Sequence, residues 1–374
     1  MTGVSAQLQE FCRIVQGGRL GLSGNDFVAQ GFPAYGAGGM NGFLPEYEFD
    51  ESAVILSAIG ARCGKCFFVE GKWASLANTQ LIFPDPQRAD VKYLWFQLND
   101  ERRWHRSGTG QPFIKPADVK AHRVYLPPLP EQRRIAEILD KADALLAKRR
   151  ATLAFLDTLT QSILLTMFGD PGTNPSGWPK ANLGDLLSSG PQNGLYKPAS
   201  EYGSGTPILR IDGFYDGVVT GLATLKRVRI SHEEQSRYGL LPGEIVINRV
   251  NSREYLGKSA LIPPLHESTV FESNMMRFAI DRTRLDPGYL IQFLQTQYVR
   301  GQILQSAKDA VNQSSINQQD VKALSVLVPP LSMQQEFVHR LYSVDEVRVD
   351  QRTSLSLLGA LFTSLDQRAF RGEL

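Results

Sequence analysis

A chain of 374 residues is more than twice the length of a typical single domain, so two or more units are expected. With 42% hydrophobic and 21% charged residues the composition is globular, which excludes disorder, a collagen-like fibre and a disulfide scaffold. Forty basic against 38 acidic residues leave a formal charge of +2, which neither demands nor excludes nucleic acid.

In chain order, the first clear elements are two strand-like runs, AVILSAIG from Ala53 and KCFFVEG from Lys65, followed by a helix-like run, VKYLWFQLND, from Val91. The stretch Ala53 to Ala61 is the longest strongly apolar one and is too short to span a bilayer, so no membrane partner is expected. Three cysteines and an amino terminus without a basic-then-apolar signal point to a reducing, cytoplasmic setting. An extended stretch, Val124, Tyr125 and Leu126, is ended by Pro127 and Pro128, and Pro130 with Glu131 suits the first turn of a helix. From there Ile135, Leu139, Ala142, Leu146, Arg149, Leu153, Leu156, Thr160, Ile163 and Met167 keep strict 4,3 spacing, eight of the ten apolar. That spacing predicts a long helix with a coiled-coil seam. Further on come GEIVINRV from Gly243 and SALIPP from Ser259 as strands, and PGYLIQFLQTQYV from Pro287 as a helix-like run.

A second seam then follows: Phe337, Leu341, Val344, Arg348, Gln351, Leu355, Leu358, Phe362, Leu365 and Ala369. It is the first one shifted by 202 residues, and the shift holds across IKPADVKAHRVYLPPLPEQRRIAEIL from Ile114 and INQQDVKALSVLVPPLSMQQEFVHRL from Ile316. Asp118 pairs with Asp320, Gln132 with Gln334 and Phe168 with Phe370. Upstream, Tyr93 and Leu94 match Tyr289 and Leu290, and Asn78 matches Asn274, at offset 196, while Gly64-Lys65 matches Gly257-Lys258 at offset 193. The chain therefore reads as a tandem duplication: two variable α+β parts, each closed by a similar long helix. The first copy runs about 118 residues to Asp118, whereas the second runs from about Pro171 to Asp320, and most of the difference lies ahead of the strand pair. The polar interruptions Arg149, Thr160, Arg348 and Gln351 are expected to set register or to lie at wet points of the seam.

At this point the residues resemble the specificity subunits of type I restriction-modification systems. The likeness covers essentially the whole chain. It rests on LPPLPEQRRIAEILDKADALL, LFTSLDQRAFRGEL, YGAGGMNGFL at Tyr35, SGTGQPFIKPADV at Ser107, GTPILRIDGF at Gly205 and INRVNSREYLGKSALI at Ile247, and on their order along the chain within a two-fold repeat. The resemblance implies target-recognition domains over 1–126 and 171–328, each followed by a spacer helix region, 127–170 and 329–374, with the helices forming an antiparallel coiled coil. It further implies double-stranded DNA as ligand, two methyltransferase subunits carrying S-adenosylmethionine and restriction subunits as partners, and no cofactor, metal or catalysis on this chain. A coiled-coil scaffold whose globular parts bind protein is the alternative, and an enzyme with an unrecognised site is a third reading.

Enzyme motifs fail on inspection. Gly257-Lys258-Ser259 resembles the end of a phosphate loop, but the glycine required five positions earlier is Ser252. Cys63-Gly-Lys-Cys66 lacks a second ligand pair, and its counterparts are Leu256 and Ser259, so these read as structural thiols. Asn174-Pro175-Ser-Gly is the nearest approach to a methyltransferase tetrapeptide and sits in a Pro/Gly linker.

DNA contact is then expected from loops, since bases are read by Arg, Asn or Gln and phosphates are held by Lys, Arg or Ser. The densest is Asn248 to Tyr255, with Arg249, Asn251 and Arg253, followed by Lys258; the first copy offers Arg62 and Lys65 there. A glycine-aromatic loop supplies Tyr35 and Asn41, and Tyr196 with Lys197 stand in for it in the second copy. The last pair of loops supplies Gln111 in one copy, Asn312 and Gln313 in the other. Residues 171 to 320 hold 15 basic and 14 acidic residues, so any basic face must be made by folding.

Overall fold

The computed structural model describes residues 3–18, 21–22, 24–108, 110–310 and 313–374. It is α+β and divides into two compact units, one of residues 1–152 with 351–374 and one of residues 153–350.

In the first unit a four-stranded antiparallel sheet runs in the order Cys12–Gln16, Thr79–Pro84, Ala53–Ser57, Cys66–Val69. All five residues of Ala53–Ser57 are buried because the strand has a core on each face. Val54 and Leu56 meet Ile82, Leu94 and Leu98, while Ala53 and Ile55 meet Trp73, Leu81 and Phe83. A strand covered on both sides has no reason to alternate polar with apolar residues, hence the unbroken run in the sequence. A second sheet, ordered Gly39–Leu44, Phe32–Gly36, Lys72–Ser75, Phe49–Asp50, supplies the outer of these two cores. The second unit repeats the scheme: Leu187–Asn193, Met275–Ile280, Ile245–Asn248 and Ser259–Leu261 take the same order and extend into Gly217–Val219 and Phe214–Tyr215. Ile245 and Ile247 face one core and Val246 the other.

Each copy is also closed in the same way. A short strand at its start pairs antiparallel with a short strand at its end, Val4–Gln7 with Arg123–Leu126 and Lys180–Asn182 with Ser325–Leu327. The helix Val91–Leu98 has its equivalent in Pro287–Leu294, each capped by an aspartate, Asp90 or Asp286. The run predicted as one helix from Pro287 is two, because Thr296 ends the first, donating to the Phe293 carbonyl at 2.7 Å, and caps the second, Gln297–Ser306.

The long helices are Leu129–Phe168 and Leu331–Ala369, each about 60 Å long at 1.5 Å per residue. Every seam position named from the sequence is buried or half-buried. Within the first unit Ile135 and Leu139 share a cluster with Phe362, Leu365 and Ala369, and Arg149 donates to Gln351 Oε1 at 2.5 Å. Within the second, Leu164 and Phe168 share a core with Phe337 and Leu341, and Arg348 donates to the Leu156 carbonyl at 3.0 Å and pairs with Asp157. Of the polar seam residues, Arg149 and Gln351 thus meet each other, and Arg348 meets the backbone of the other long helix. The first long helix also contains an eighteen-residue window that, by length and composition alone, is apolar enough to cross a membrane. Thr, Gln and Ser residues and charged Asp157 break up this end of the helix, so it shows no unbroken apolar run in the sequence.

One side chain ties each recognition fold to its long helix. Gln132 is fully buried; its Oε1 accepts from the Asp90 N–H at 2.9 Å, and its Nε2 donates to the carbonyls of Arg88 at 3.0 Å and Pro127 at 2.7 Å. Gln334 repeats this with Asp286 at 2.8 Å, Arg284 at 3.1 Å and Pro329 at 2.7 Å. The task needs one acceptor and two donors on a planar group, which among uncharged side chains only an amide supplies. Tyr93 and Tyr289 add a hydroxyl donated to the closing strand, to Tyr125 O at 2.8 Å and Leu327 O at 3.1 Å.

Candidate nucleic-acid interface

In the first copy the turn 58–65 is the hub. It leaves strand Ala53–Ser57 and returns as Cys66–Val69, closed by Gly64 N–H donating to the Ser57 carbonyl at 2.9 Å. Gly64 sits at φ 98°, where a side chain would be strained, and its counterpart Gly257, at φ 76°, closes the same turn onto Asn248 at 3.0 Å. The aligned glycines therefore close equivalent turns in the two copies. Arg62 reaches out of the hub and donates to the Gly38 carbonyl at 2.9 Å, at the tip of the hairpin that carries Tyr35 and Asn41. On its other side Gly60 N–H donates to the Pro112 carbonyl at 3.0 Å, and bridges Ile59–Phe113 and Ser107–Phe113 hold the loop that carries Gln111. The three stretches singled out in the sequence thus converge. Asn41, Arg62 and Gln111 are exposed and Lys65 is half-buried. Tyr35 lies within a strand rather than a loop and packs edge-on against Trp73, with burial raising its phenol pKa.

The second copy gathers its own three stretches around residues 271–275. Arg249 and Val250 donate their N–H groups to the Asn274 carbonyl, Gly194 donates to Met275 and Leu195 to Phe271. Val250–Asn251 pairs with Ser314 and Ser315 in a small sheet that also includes Lys308–Ala310. Arg253 forms an exposed ion pair with Asp309 at 2.5 Å, and Asn251 Oδ1 accepts from the Ser252 N–H. Arg249 is half-buried and donates to the Ser273 carbonyl at 3.2 Å. Lys197 pairs with Glu234 at 2.8 Å, mostly covered, whereas Tyr196 is 76% exposed. Gln313 is exposed, and Asn312 lies outside the described residues.

The Lys258 side chain is half-buried and engaged within its own unit. Its ammonium donates to the Ile211 carbonyl at 2.7 Å and lies 3.7 Å from the Tyr215 ring and 5.4 Å from that of Tyr255. Burial lowers its pKa, opposed by Asp212 and Asp216. It lies against two tyrosines that remain 46% and 40% exposed. Sequence reading did not select Tyr215; the Tyr-Asp-Gly turn, with Asp216 at φ 49°, was the available signal. Met40 and Ile59, exposed apolar residues beside the first copy's loops, were likewise missed.

These clusters can hydrogen-bond and stack. Arg62 uses one of five guanidinium donors internally, and the remainder suit a phosphate or a guanine edge. The buried thiols are occupied: Cys63 donates to the Ala58 carbonyl and Cys66 to that of Leu98, and burial raises both pKa values, disfavouring the thiolate that metal or redox chemistry requires.

A family model described as Type I restriction modification DNA specificity domain matches residues 4–154 and 175–355. The specificity subunit of the type I restriction enzyme EcoKI from Escherichia coli K12 is 28% identical over 282 residues, covering 70% of this chain and 60% of that protein. The StySPI specificity subunit of Salmonella potsdam is 28% identical over 280 residues, covering 70% of this chain and 59% of the relative. The chain thus spans about three fifths of the length of these curated relatives. The crystal structure of a type I restriction-modification S subunit from M. genitalium has the same fold, with a TM-score of 0.63 at 15% identity over 99% of this chain and 96% of that one.

Proposed function

The chain belongs to the type I restriction modification DNA specificity family, and from that premise we propose that it is the non-catalytic subunit that directs a methyltransferase and endonuclease assembly to its DNA. Residues 1–126 and 171–328 are two recognition domains, each reading one half of a bipartite double-stranded site. The long helices pair as an antiparallel coiled coil that sets the spacing and docks two methyltransferase subunits, which carry S-adenosylmethionine. Restriction subunits complete the assembly, in the cytoplasm.

The observation that carries this reading is the repeated convergence of three polar loops, made from unlike residues on one strand scaffold. A common framework with different reading groups is what two different half-sites require. Support for the antiparallel pairing comes from Arg149 meeting Gln351, its own counterpart 202 positions on, while Ile135 meets Ala369 and Asp157 meets Arg348. Such a pairing has a pseudo-two-fold axis, by which two identical methyltransferases address opposite DNA strands. Exposed Leu145, Phe155, Tyr342, Leu357 and Leu361 give the helices apolar surface off the seam, which suits protein partners and accounts for the membrane-like window without a bilayer.

The test is an exchange of residues 1–126 for the corresponding domain of a relative, co-expression with the methyltransferase, and sequencing of methylated sites. One half of the site should change while the other stays. A site altered in both halves, or in neither, refutes the division of labour.

A further inference from the structure

Within the first unit, the end of the second long helix and the segments 97–103 and 122–125 line an open cavity of about 400 Å³. Its charged lining is Asp100, Arg102, Arg103, Arg123, Asp366 and Arg371. Asp100 binds Arg102 through both carboxylate oxygens, at 2.9 and 3.1 Å, and lies 3.4 Å from Arg103, which also reaches Asp366 at 3.4 Å. Arg123 donates only to neutral oxygens, the hydroxyl and carbonyl of Ser5, both at 3.1 Å. Arg371 has no side-chain partner among the described residues. Four guanidinium groups against two carboxylates leave a surplus of two positive charges.

The duplication provides an internal control. At the offsets of 196 and 202 residues, Gln97, Arg103, His122, Tyr125, Asp366 and Phe370 correspond to Phe293, Val299, Leu324, Leu327, Leu164 and Phe168. In the second unit those six are buried in a single hydrophobic core. The joint between a recognition fold and a long helix can therefore be closed with hydrocarbon alone. Packing thus does not require the Arg103–Asp366 pair, and Arg102, Arg123 and Arg371, whose counterparts are Tyr298, Ser325 and Gly169, stand exposed around it.

We propose that this cavity is a binding site for the phosphate monoester of a nucleotide. A monoester dianion matches the twofold surplus, and guanidinium forks match its oxygens. The volume is that of a small-molecule site, and Phe370 and Tyr125 line it with ring surface. The inference does not depend on which DNA sequence the loops read, nor on whether they read DNA. The same chemistry has two sources, a free nucleotide and a DNA backbone, but a backbone diester carries one charge, which favours the free monoester.

The test is calorimetric titration of the full chain, at low salt, with adenosine monophosphate, with inorganic phosphate and with a duplex bearing only diesters and no methylation target. Adenosine monophosphate should bind at one site per chain, more tightly than inorganic phosphate. Arg371→Ser, on the exposed rim, should weaken it about tenfold, and adding Arg123→Ser should weaken it further. In the unsubstituted protein, the His122 ring resonances should move on titration while those of His232 and His339 stay. Absence of binding, equal binding by the variants, an unmoved His122, or binding of the duplex but not of the monophosphate would each overturn the proposal.

Discussion

The joint between recognition fold and long helix is built twice in this chain, once around charge and once around hydrocarbon. In the second copy Phe168 is 1% exposed and meets Tyr289, Phe337 and Trp178 edge-on. In the first, Phe370 occupies the same repeat position, half-buried, against Tyr93 and beneath the Arg103 guanidinium. Around both, the glutamine contacts are the same to within a few tenths of an ångström. The difference teaches that the backbone geometry of the joint, not the chemistry of its filling, is what the duplication preserves.

The largest effect should separate the two phenylalanines. Phe168→Ala opens a sealed aromatic core and should cost about 3–5 kcal/mol, whereas Phe370→Ala, partly solvated already, should cost about 1–2. Urea unfolding of the two variants measures this, and equal losses would erase the distinction between a dry and a wet joint. Next, Gln132→Ala and Gln334→Ala each leave a buried N–H and two carbonyls without partners, and each should cost about 2–3 kcal/mol by the same measurement. A loss confined to one copy would mean that the two latches are not equivalent.

A further comparison concerns the reading loops. Arg62→Ala and Arg253→Ala should each weaken target binding by about 1–3 kcal/mol if they reach a base, with lost discrimination confined to one half-site. Uniform weakening on every sequence would assign them to phosphates. The smallest effect is a pH dependence unique to the first copy. Burial, with help from Arg103, lowers the pKa of His122 below its ordinary 6.5. The folded protein then holds fewer protons than the unfolded chain in the window beneath 6.5, so stability falls as pH drops from 6.5 to the lowered value and then levels off. His122→Leu, which copies Leu324, should flatten that slope, and an unchanged slope would place its origin elsewhere.

Much of the architecture was legible because it repeats. Two registers 202 residues apart reinforce each other, and every seam residue from Ile135 to Met167 and from Phe337 to Ala369 found cover. Strands such as Ala53–Ser57 and Ile245–Asn248 were readable as apolar runs because two cores enclose them. What escaped depends on partners distant in the chain. Lys258 reads as a DNA contact, yet in the fold it donates to Ile211, 47 residues earlier. Arg62 read as a reader of DNA and also braces a hairpin 24 residues away. The charged cavity was invisible because its walls come from 97–125 and 363–371, and neither segment is unusual alone.

The buried glutamines also bear on how such proteins diversify. On the recognition-fold side, each amide touches only main-chain atoms: the N–H of an aspartate and the carbonyl of the residue two positions before it. No side chain of the domain is consulted. A foreign domain that brings the same backbone turn ahead of its capping aspartate, and an apolar face like that of Tyr93 and Phe96, would seat on the helix, whatever its reading loops contain. Recombination can therefore cut at the di-proline and exchange whole reading surfaces in one event. The mechanical joint survives because it was never written in the part of the sequence that changes.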